Sequence, residues 1–168
     1  MRARGWTLVE LVMVVVIVGT LAVFIGPLLL NTVAAYDRTE GTVTTYAKMR
    51  YAMERMAREV RAIRRNPADT TAFDIASMTP ANFTFTREDG TQVSIVAAGG
   101  NVTLTYVGTG AGVLTDQVSA FNLAYYRQDG ATAAAGATDV AFVEIAMTLA
   151  DAPNSYPNRL RLALRNPQ

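Results

Sequence analysis

The sequence of 168 residues contains no cysteine and no histidine. Without cysteine, a disulfide scaffold, a thiolate zinc site and a thiol nucleophile are all excluded. Without histidine, the chain lacks the commonest general base and metal ligand, and a Ser-His-Asp triad is impossible. The acids and hydroxyls that remain have no base at a catalytic spacing. We therefore expect a protein that is not an enzyme, with no catalytic residues and no cofactor.

Charged residues make up only 17% of the chain, and their signs are unevenly distributed. The net charge of +1 argues against a simple binder of polyanions. Residues 1–65 hold ten basic and five acidic side chains, whereas residues 66–168 hold five basic and nine acidic ones. The two parts of the chain therefore differ in character.

A run of 25 residues without a charge extends from Leu11 to Ala35. As a helix rising about 1.5 Å per residue it is roughly 37 Å long, more than the roughly 30 Å of a bilayer's hydrocarbon core. We therefore predict a helix that spans a membrane. Arg2 and Arg4 lie on the short N-terminal flank. Because positive flanks stay in the cytoplasm, the rest of the chain is expected on the other side of the membrane.

A cleavable secretory signal peptide is the alternative explanation of the same run. The small residues Val33-Ala34-Ala35 offer a cleavage site before Tyr36, which would free an exported soluble domain. Against this, the apolar run is about twice the usual length of a signal peptide's apolar region. Glu10, at the start of the run, is also foreign to such signals.

Glu10 is the unusual residue of the N-terminal region. An ionised carboxylate costs on the order of 2.5 kcal/mol or more at the bilayer centre, so its partner has to be named. If the chain is cut after Gly5, Trp6 carries a free amine four residues before Glu10. Pairing of amine and carboxylate in a low dielectric, within one helix or between neighbours, can fix the axial register of adjacent helices.

The segment GWTLVELVMVVVIVG, which begins at Gly5, resembles the class III signal of type IV prepilins and pseudopilins. The resemblance implies cleavage between Gly5 and Trp6 by a prepilin peptidase, a membrane aspartyl protease that also N-methylates Trp6. It also implies that Glu10 pairs with the amine of a neighbouring subunit during assembly. Trp6 departs from the pattern, because the family usually has Phe there.

Gly26-Pro27 lies inside the apolar run. Proline removes one backbone hydrogen bond and clashes with the preceding turn, so a bend of the helix is expected at Gly26 and Pro27. The resemblance adds that pilins carry a proline at this spacing from the cleavage site.

An amphipathic helix is predicted beyond Tyr36, with a weak point in residues 37–46, which contain Gly41 and several threonines. Its end is expected at Asn66-Pro67. Charged residues, Glu59 among them, lie off its apolar stripe and are expected on a basic solvent face. The alternative is that this face contacts lipid headgroups or DNA, through Arg58, Arg61 and Arg64 in the case of DNA. The stripe has spacings of three and four and consists of Met49, Met53, Met56, Val60 and Ile63.

Residues 83–165 alternate between apolar and polar positions, which predicts antiparallel strands with one buried face. Tight turns are expected at Glu88-Asp89-Gly90 and at Gly99-Gly100-Asn101. Glu144 is expected to point outward. The glycine-rich segments 108–112 and 130–136 are predicted to be ordinary loops, because they lack the lysine and helix start of a phosphate-binding loop. No run of oxygen ligands indicates a metal site.

The predicted fold is α+β and resembles a type IV pilin, with a long N-terminal helix, membrane-spanning and then amphipathic, packed on an antiparallel sheet. We expect four parts: a prepilin leader in residues 1–5, the transmembrane half of the helix in 6–35, its amphipathic half in 36–66, and a β-rich head in 67–168.

The expected function is that of a minor pilin or pseudopilin of a type II secretion pseudopilus or a type IV pilus. The last strands resemble those of J-type minor pseudopilins. The implied partners are the prepilin peptidase, other pilins or pseudopilins and an inner-membrane assembly platform. The chain is expected in the inner membrane, with its head on the periplasmic side. The alternatives are a DNA- or surface-binding minor pilin of competence or adhesion, and the exported soluble domain; nucleic acid is not expected as the principal partner.

Overall fold

The computed structural model describes residues 7–164, apart from the side chains of residues 33–39 within the long helix. By contacts the chain divides into two compact units, Met1–Thr42 and Val43–Gln168. In the described part the elements are, in chain order, α1 Leu8–Arg61, β1 Ile75–Met78, β2 Asn82–Thr86, β3 Gln92–Ala98, β4 Asn101–Tyr106, β5 Gly112–Thr115, β6 Val118–Tyr126, β7 Phe142–Asp151 and β8 Asn154–Ala163.

The first unit contains the apolar part of α1. Its segment Leu8–Thr32 is long and apolar enough to cross a membrane, and none of it is buried within the chain. This length and composition suit a membrane anchor and equally a long signal sequence. Helix α1 continues without interruption through residues 37–46, where a weak point is predicted. A glycine costs a helix only about 1 kcal/mol, so the favourable turns on both sides outweigh Gly41.

The second unit contains two antiparallel sheets, which corrects the expectation of a single sheet. Strands β1 to β5 form a five-stranded sheet in sequence order, and β6, β7 and β8 form a three-stranded one. The turns predicted between β2 and β3 and between β3 and β4 are confirmed, and Gly90, Gly99 and Gly100 there adopt positive φ angles of 83°, 58° and 77°. Positive φ is accessible to glycine without steric cost.

The two outer strands of the five-stranded sheet, β1 and β5, were not expected from the sequence. Each has only four residues. β1 has an irregular register between Ile75 and Ser77 in its pairing with β2. β5 begins with Gly112, the last residue of a segment predicted to be a loop. Neither strand is long enough to carry an alternating pattern of its own.

The core of the second unit lies between α1 and the two sheets. All five residues of the predicted helical stripe are buried, so the amphipathic prediction is confirmed. The inward-facing apolar residues of the strands complete the same cluster, and the fold is α+β as predicted. The fully buried side chains from the strands include Phe83, Phe85, Val93, Ile95, Val143, Ile145 and Leu149.

Helix α1 ends at Arg61, earlier than the predicted end at Asn66-Pro67. The next residues pair with the sheet region instead of continuing the helix: the Arg64 N–H donates to the Thr86 carbonyl at 3.0 Å, and the Asp74 N–H donates to the Arg64 carbonyl at 3.0 Å. Because these partners satisfy the backbone hydrogen-bonding groups, the helix ends before Pro67 would have to interrupt it.

Replacement of the stripe residue Met56 by alanine should lower the free energy of unfolding by about 2–5 kcal/mol, because it leaves a cavity in a fully buried site. Urea unfolding of the full chain in detergent, followed by near-ultraviolet circular dichroism, measures the effect. Thr44→Ala, at an exposed position of the same helix, is the matched control and should change little. Equal effects of the two variants would contradict the packing described here.

Candidate functional site

Thr7 caps the N-terminus of helix α1, which begins at Leu8. Its Oγ1 accepts a hydrogen bond from the Glu10 N–H at 3.3 Å. Its carbonyl accepts from the N–H groups of Glu10 and Leu11 at 3.1 and 3.2 Å. Thr7 and Glu10 have the spacing of a capping box. This spacing is a sequence signal for the start of a helix, and the prediction of a processing motif did not use it. The helix start is therefore defined by the side chain of Thr7.

The carboxylate of Glu10 takes no part in this cap. In a complete capping box it would accept a hydrogen bond from the Thr7 N–H, but within residues 7–164 it has neither a hydrogen bond nor an ion pair. The Glu10 side chain is exposed, in the first turn of a helix that is otherwise apolar for several turns. An anionic group at this position is open to a cationic partner from outside the described chain.

Two of the predicted site residues, Gly5 and Trp6, lie outside the described residues. Cleavage between them, methylation of Trp6 and its pairing with Glu10 therefore stay predictions. Pro27 lies inside helix α1, directly after Gly26. The bend expected at this dipeptide also stays a prediction.

The second unit contains a buried carboxylate that the sequence pattern had assigned to the solvent face of the helix. The side chain of Glu59 is only 3% exposed. Its Oε1 accepts a hydrogen bond from the Tyr106 hydroxyl at 2.8 Å and lies 3.2 Å from the Arg55 guanidinium. Arg55 also donates to the Tyr106 hydroxyl at 2.5 Å. The placement of Glu59 in solvent was wrong because these partners come from a distant strand as well as from its own helix.

Arg87 completes this network from the turn after β2. Its Nε lies 3.5 Å from Oε2 of Glu59, and neither buried atom has a hydrogen-bond partner. Their interaction is therefore electrostatic. Burial, reinforced by the neighbouring Glu59 carboxylate, raises the pKa of Tyr106 above its usual value. A neutral tyrosine and two arginines thus stabilise one buried carboxylate and hold α1 against the five-stranded sheet.

Glu144 alternates with the core residues Val143 and Ile145, so it lies on the outer face as predicted. It is nevertheless only 8% exposed, which the alternating pattern did not indicate. Arg161 donates to its Oε2 at 2.9 Å, and Arg159 lies 3.5 Å from its Oε1. Arg161 also lies over the Tyr126 ring, 4.3 Å from its centroid. Long arginine side chains from the neighbouring strand therefore cover the outer face of the sheet at this position.

The three arginines of the predicted DNA contact lie in different surroundings. Arg64 forms an ion pair of 2.7 Å with Asp74 and contributes to the packing beyond the helix end. Arg58 and Arg61 are exposed, and neither forms an ion pair within residues 7–164. Only two of the three are therefore available to a phosphate or to another acidic group.

A cleft of about 770 Å³ lies in the second unit, lined among others by Arg65, Phe73, Arg127 and Asp139. Its cations are already engaged. Arg127 pairs with Asp139 at 2.7 Å, and Arg65 lies over the Phe73 ring, 4.0 Å from its centroid. No group of three or more acidic side chains suited to holding a metal ion occurs among the described residues. The Glu10 carboxylate is the candidate that lies on an apolar helix and has no partner within residues 7–164.

Comparison with models of known protein families and with curated protein sequences gave no match to this chain. The function therefore has to be argued from the residues themselves.

Tyr106→Phe should lower the free energy of unfolding by about 1–3 kcal/mol, because the buried Glu59 loses a hydrogen-bond donor. Tyr51→Phe, on an exposed tyrosine of the same unit, is the control. The raised pKa of Tyr106 adds a signature in alkali. Above about pH 10 the unfolded state releases the phenolic proton before the folded state does, so stability falls as the pH rises. This loss should be smaller in Tyr106→Phe; an unchanged alkaline profile would contradict the network.

Proposed function

We propose that this chain is a minor pilin or pseudopilin. In this proposal it is a single-pass inner-membrane protein with its head on the periplasmic side, cut between Gly5 and Trp6 and N-methylated at Trp6 by a prepilin peptidase. An assembly platform then draws it into a type II secretion pseudopilus or a type IV pilus. The observation that carries the proposal is the unpaired Glu10 carboxylate at the capped start of an exposed apolar helix.

The apolar surface of α1 supports an assembly role. The large apolar side chains between Leu8 and Leu30 are each more than 40% exposed, and these two residues themselves are 80% and 73% exposed. Such a surface has to be covered by lipid or by other apolar helices. A subunit that moves from a membrane into a filament core exchanges the first cover for the second, without exposing this surface to water.

The unpaired carboxylate supports a role in register. An ionised group among apolar neighbours gains most from a partner of opposite charge, and the N-terminal amine expected on Trp6 after cleavage is such a partner. Since Thr7 already satisfies the Glu10 N–H, pairing of the carboxylate does not compete with the helix cap. One contact of this kind per subunit would fix how far each helix lies along its neighbour.

A purely local role of Glu10 is the competing explanation. A negative charge in the first turn stabilises a helix by about 0.3–1 kcal/mol through the helix dipole. Glutamine at this position keeps the size and the hydrogen-bonding capacity but has no charge. The local role predicts a small loss of helix stability and normal assembly for Glu10→Gln, whereas the register role predicts failed assembly.

Gly5→Leu should block processing, because a bulky side chain is placed at the bond to be cut. Mass spectrometry and N-terminal sequencing of the membrane-extracted chain provide the measurement, and in the unchanged chain they should find N-methylated Trp6. Gly19→Leu is the matched control: a Cβ atom at Gly19 meets nothing within 4 Å in the chain, and processing should continue.

Three results would contradict the processing step. They are a mature wild-type chain that retains Met1, a mature chain that begins at Tyr36, and assembly of an uncut Gly5→Leu chain. The second of these would identify an exported soluble domain.

Glu10→Ala and Glu10→Gln should both leave cleavage largely intact and reduce incorporation into filaments strongly, because the pairing with the neighbouring amine is lost. Glu10→Asp, which keeps the charge on a shorter side chain, should retain more incorporation than either. The measurement is the ratio of this chain in sheared filaments to that in the membrane, determined by immunoblotting. Incorporation of Glu10→Gln at the wild-type level would reject the register role and leave the local one.

A further inference from the structure

The exposed side of α1 in the second unit carries a continuous set of residues that we call the basic face. Apart from the adjacent pair Arg50 and Tyr51, its members recur at spacings of three and four, which places them along one side of a helix. All of them are exposed, whereas the residues between them are at least partly buried in the core or the network around Glu59 or, in the case of Lys48, paired with Asp116. The basic face consists of Ala47, Arg50, Tyr51, Glu54, Arg58 and Arg61.

Charge on the basic face is only partly balanced by the chain itself. Arg50 pairs with Glu54 at 2.7 Å, with side chains 81% and 59% exposed. Arg58 and Arg61 have no ion pair within the described part of the chain. Glu59, the nearest acid in sequence, is buried in the network with Tyr106. The face therefore has two unmatched positive charges at its C-terminal end.

Apolar surface accompanies these charges. Tyr51 is 61% exposed and lies between Ala47 and Glu54 on the same face. Tyrosine and arginine are the residues most enriched at the energetic centres of protein interfaces. An exposed tyrosine beside small and basic residues on a rigid helix is suited to contact with another protein surface.

We propose that the basic face binds an acidic surface of a different protein chain. Its identification as another subunit of the same filament rests on the proposed function; the acidic character of the partner rests on the charges of the face alone. Two unmatched arginines favour carboxylates placed opposite them, and complementary charge selects a partner more than it adds affinity.

A second copy of this chain is the less favourable occupant. Contact between two basic faces brings arginine against arginine, with Glu54 as the one acid on each. Like charges opposite one another disfavour such a pair and direct the face towards a different chain.

DNA is also a less favourable partner of the basic face. Arg58 and Arg61 would neutralise about two phosphates, against the six to ten contacts of strong electrostatic binding.

Disulfide cross-linking tests the proposal cleanly because the chain has no cysteine of its own. One full chain carries Ala47→Cys alone. A second carries Ala47→Cys together with Arg50→Glu, Arg58→Glu and Arg61→Glu, which reverse the charge of its basic face. The reversed copy is the acidic probe. Differently tagged chains are mixed in detergent, oxidised and separated by size.

The mixed disulfide between the native and the reversed face should exceed both homotypic products several-fold. This excess should disappear in high salt, which screens exposed charges. Thr109→Cys, on the loop between β4 and β5 and outside the face, is the matched control and should give no such preference. Equal yields of the three products, or a dominant native homodimer, would overturn the proposal. Retention of the full chain on duplex DNA that is abolished by Arg58→Glu with Arg61→Glu would overturn the choice of partner.

The same charges can be tested in the filament. Arg58→Glu with Arg61→Glu should reduce incorporation several-fold and leave the cut at Gly5–Trp6 unchanged, and Arg58→Lys with Arg61→Lys should restore it. Unchanged incorporation of the reversed variant, with Glu10→Gln still defective, would reject the basic face as an assembly contact and retain the pilin proposal. A mature chain that does not begin at Trp6, with the cross-linking preference intact, would reject the pilin proposal and retain the acidic partner.

Discussion

The apolar surface of the first part of α1 is the constraint on which everything else depends. Along Leu8–Thr32 no residue is buried by the chain itself, so the apolar side chains have no cover of their own. Lipid or the helices of other chains have to supply it. A backbone that is fully hydrogen-bonded along the helix is compatible with either cover. A chain that retains this helix therefore needs such a cover, whereas a chain that loses it as a signal sequence does not.

The buried carboxylates of the second unit have arginine partners within the chain, whereas Glu10 of the first unit has none within residues 7–164. Arg55 of the same helix and Arg87 lie against Glu59, and Arg159 and Arg161 of β8 lie against Glu144. The cost of burying a carboxylate is offset only when such partners are in place. At the start of α1 the backbone is satisfied by Thr7, but the charge of Glu10 is not matched by any group within residues 7–164.

The sequence predicted which face of each helix and strand is buried better than it predicted the partners of the charged residues. Periodicity identified the buried stripe around Met56 and the inward residues of the strands, because burial of apolar side chains repeats with the geometry of each element. It placed Glu59 in solvent and did not reveal that Glu144 is covered on the outer face, because their partners, Tyr106 and Arg161 among them, lie far away in the sequence. The motif at Gly5–Glu10 predicted the candidate site residues, although it did not reveal that Thr7 caps the helix.

Two of the carboxylates of α1, Glu10 and Glu59, lie in opposite surroundings. Glu59 has its partners in the folded chain, so it fixes one unit internally and leaves nothing for a neighbour. Glu10 lies where the chain offers apolar side chains and a completed cap, so its charge is matched only by a group from outside the described chain. Under the proposed function, Glu59 contributes to stability, and Glu10, which folding leaves unpaired, contributes to recognition. Arg58 and Arg61 likewise have no ion pair within residues 7–164, so the two proposals place a charged contact near each end of the helix.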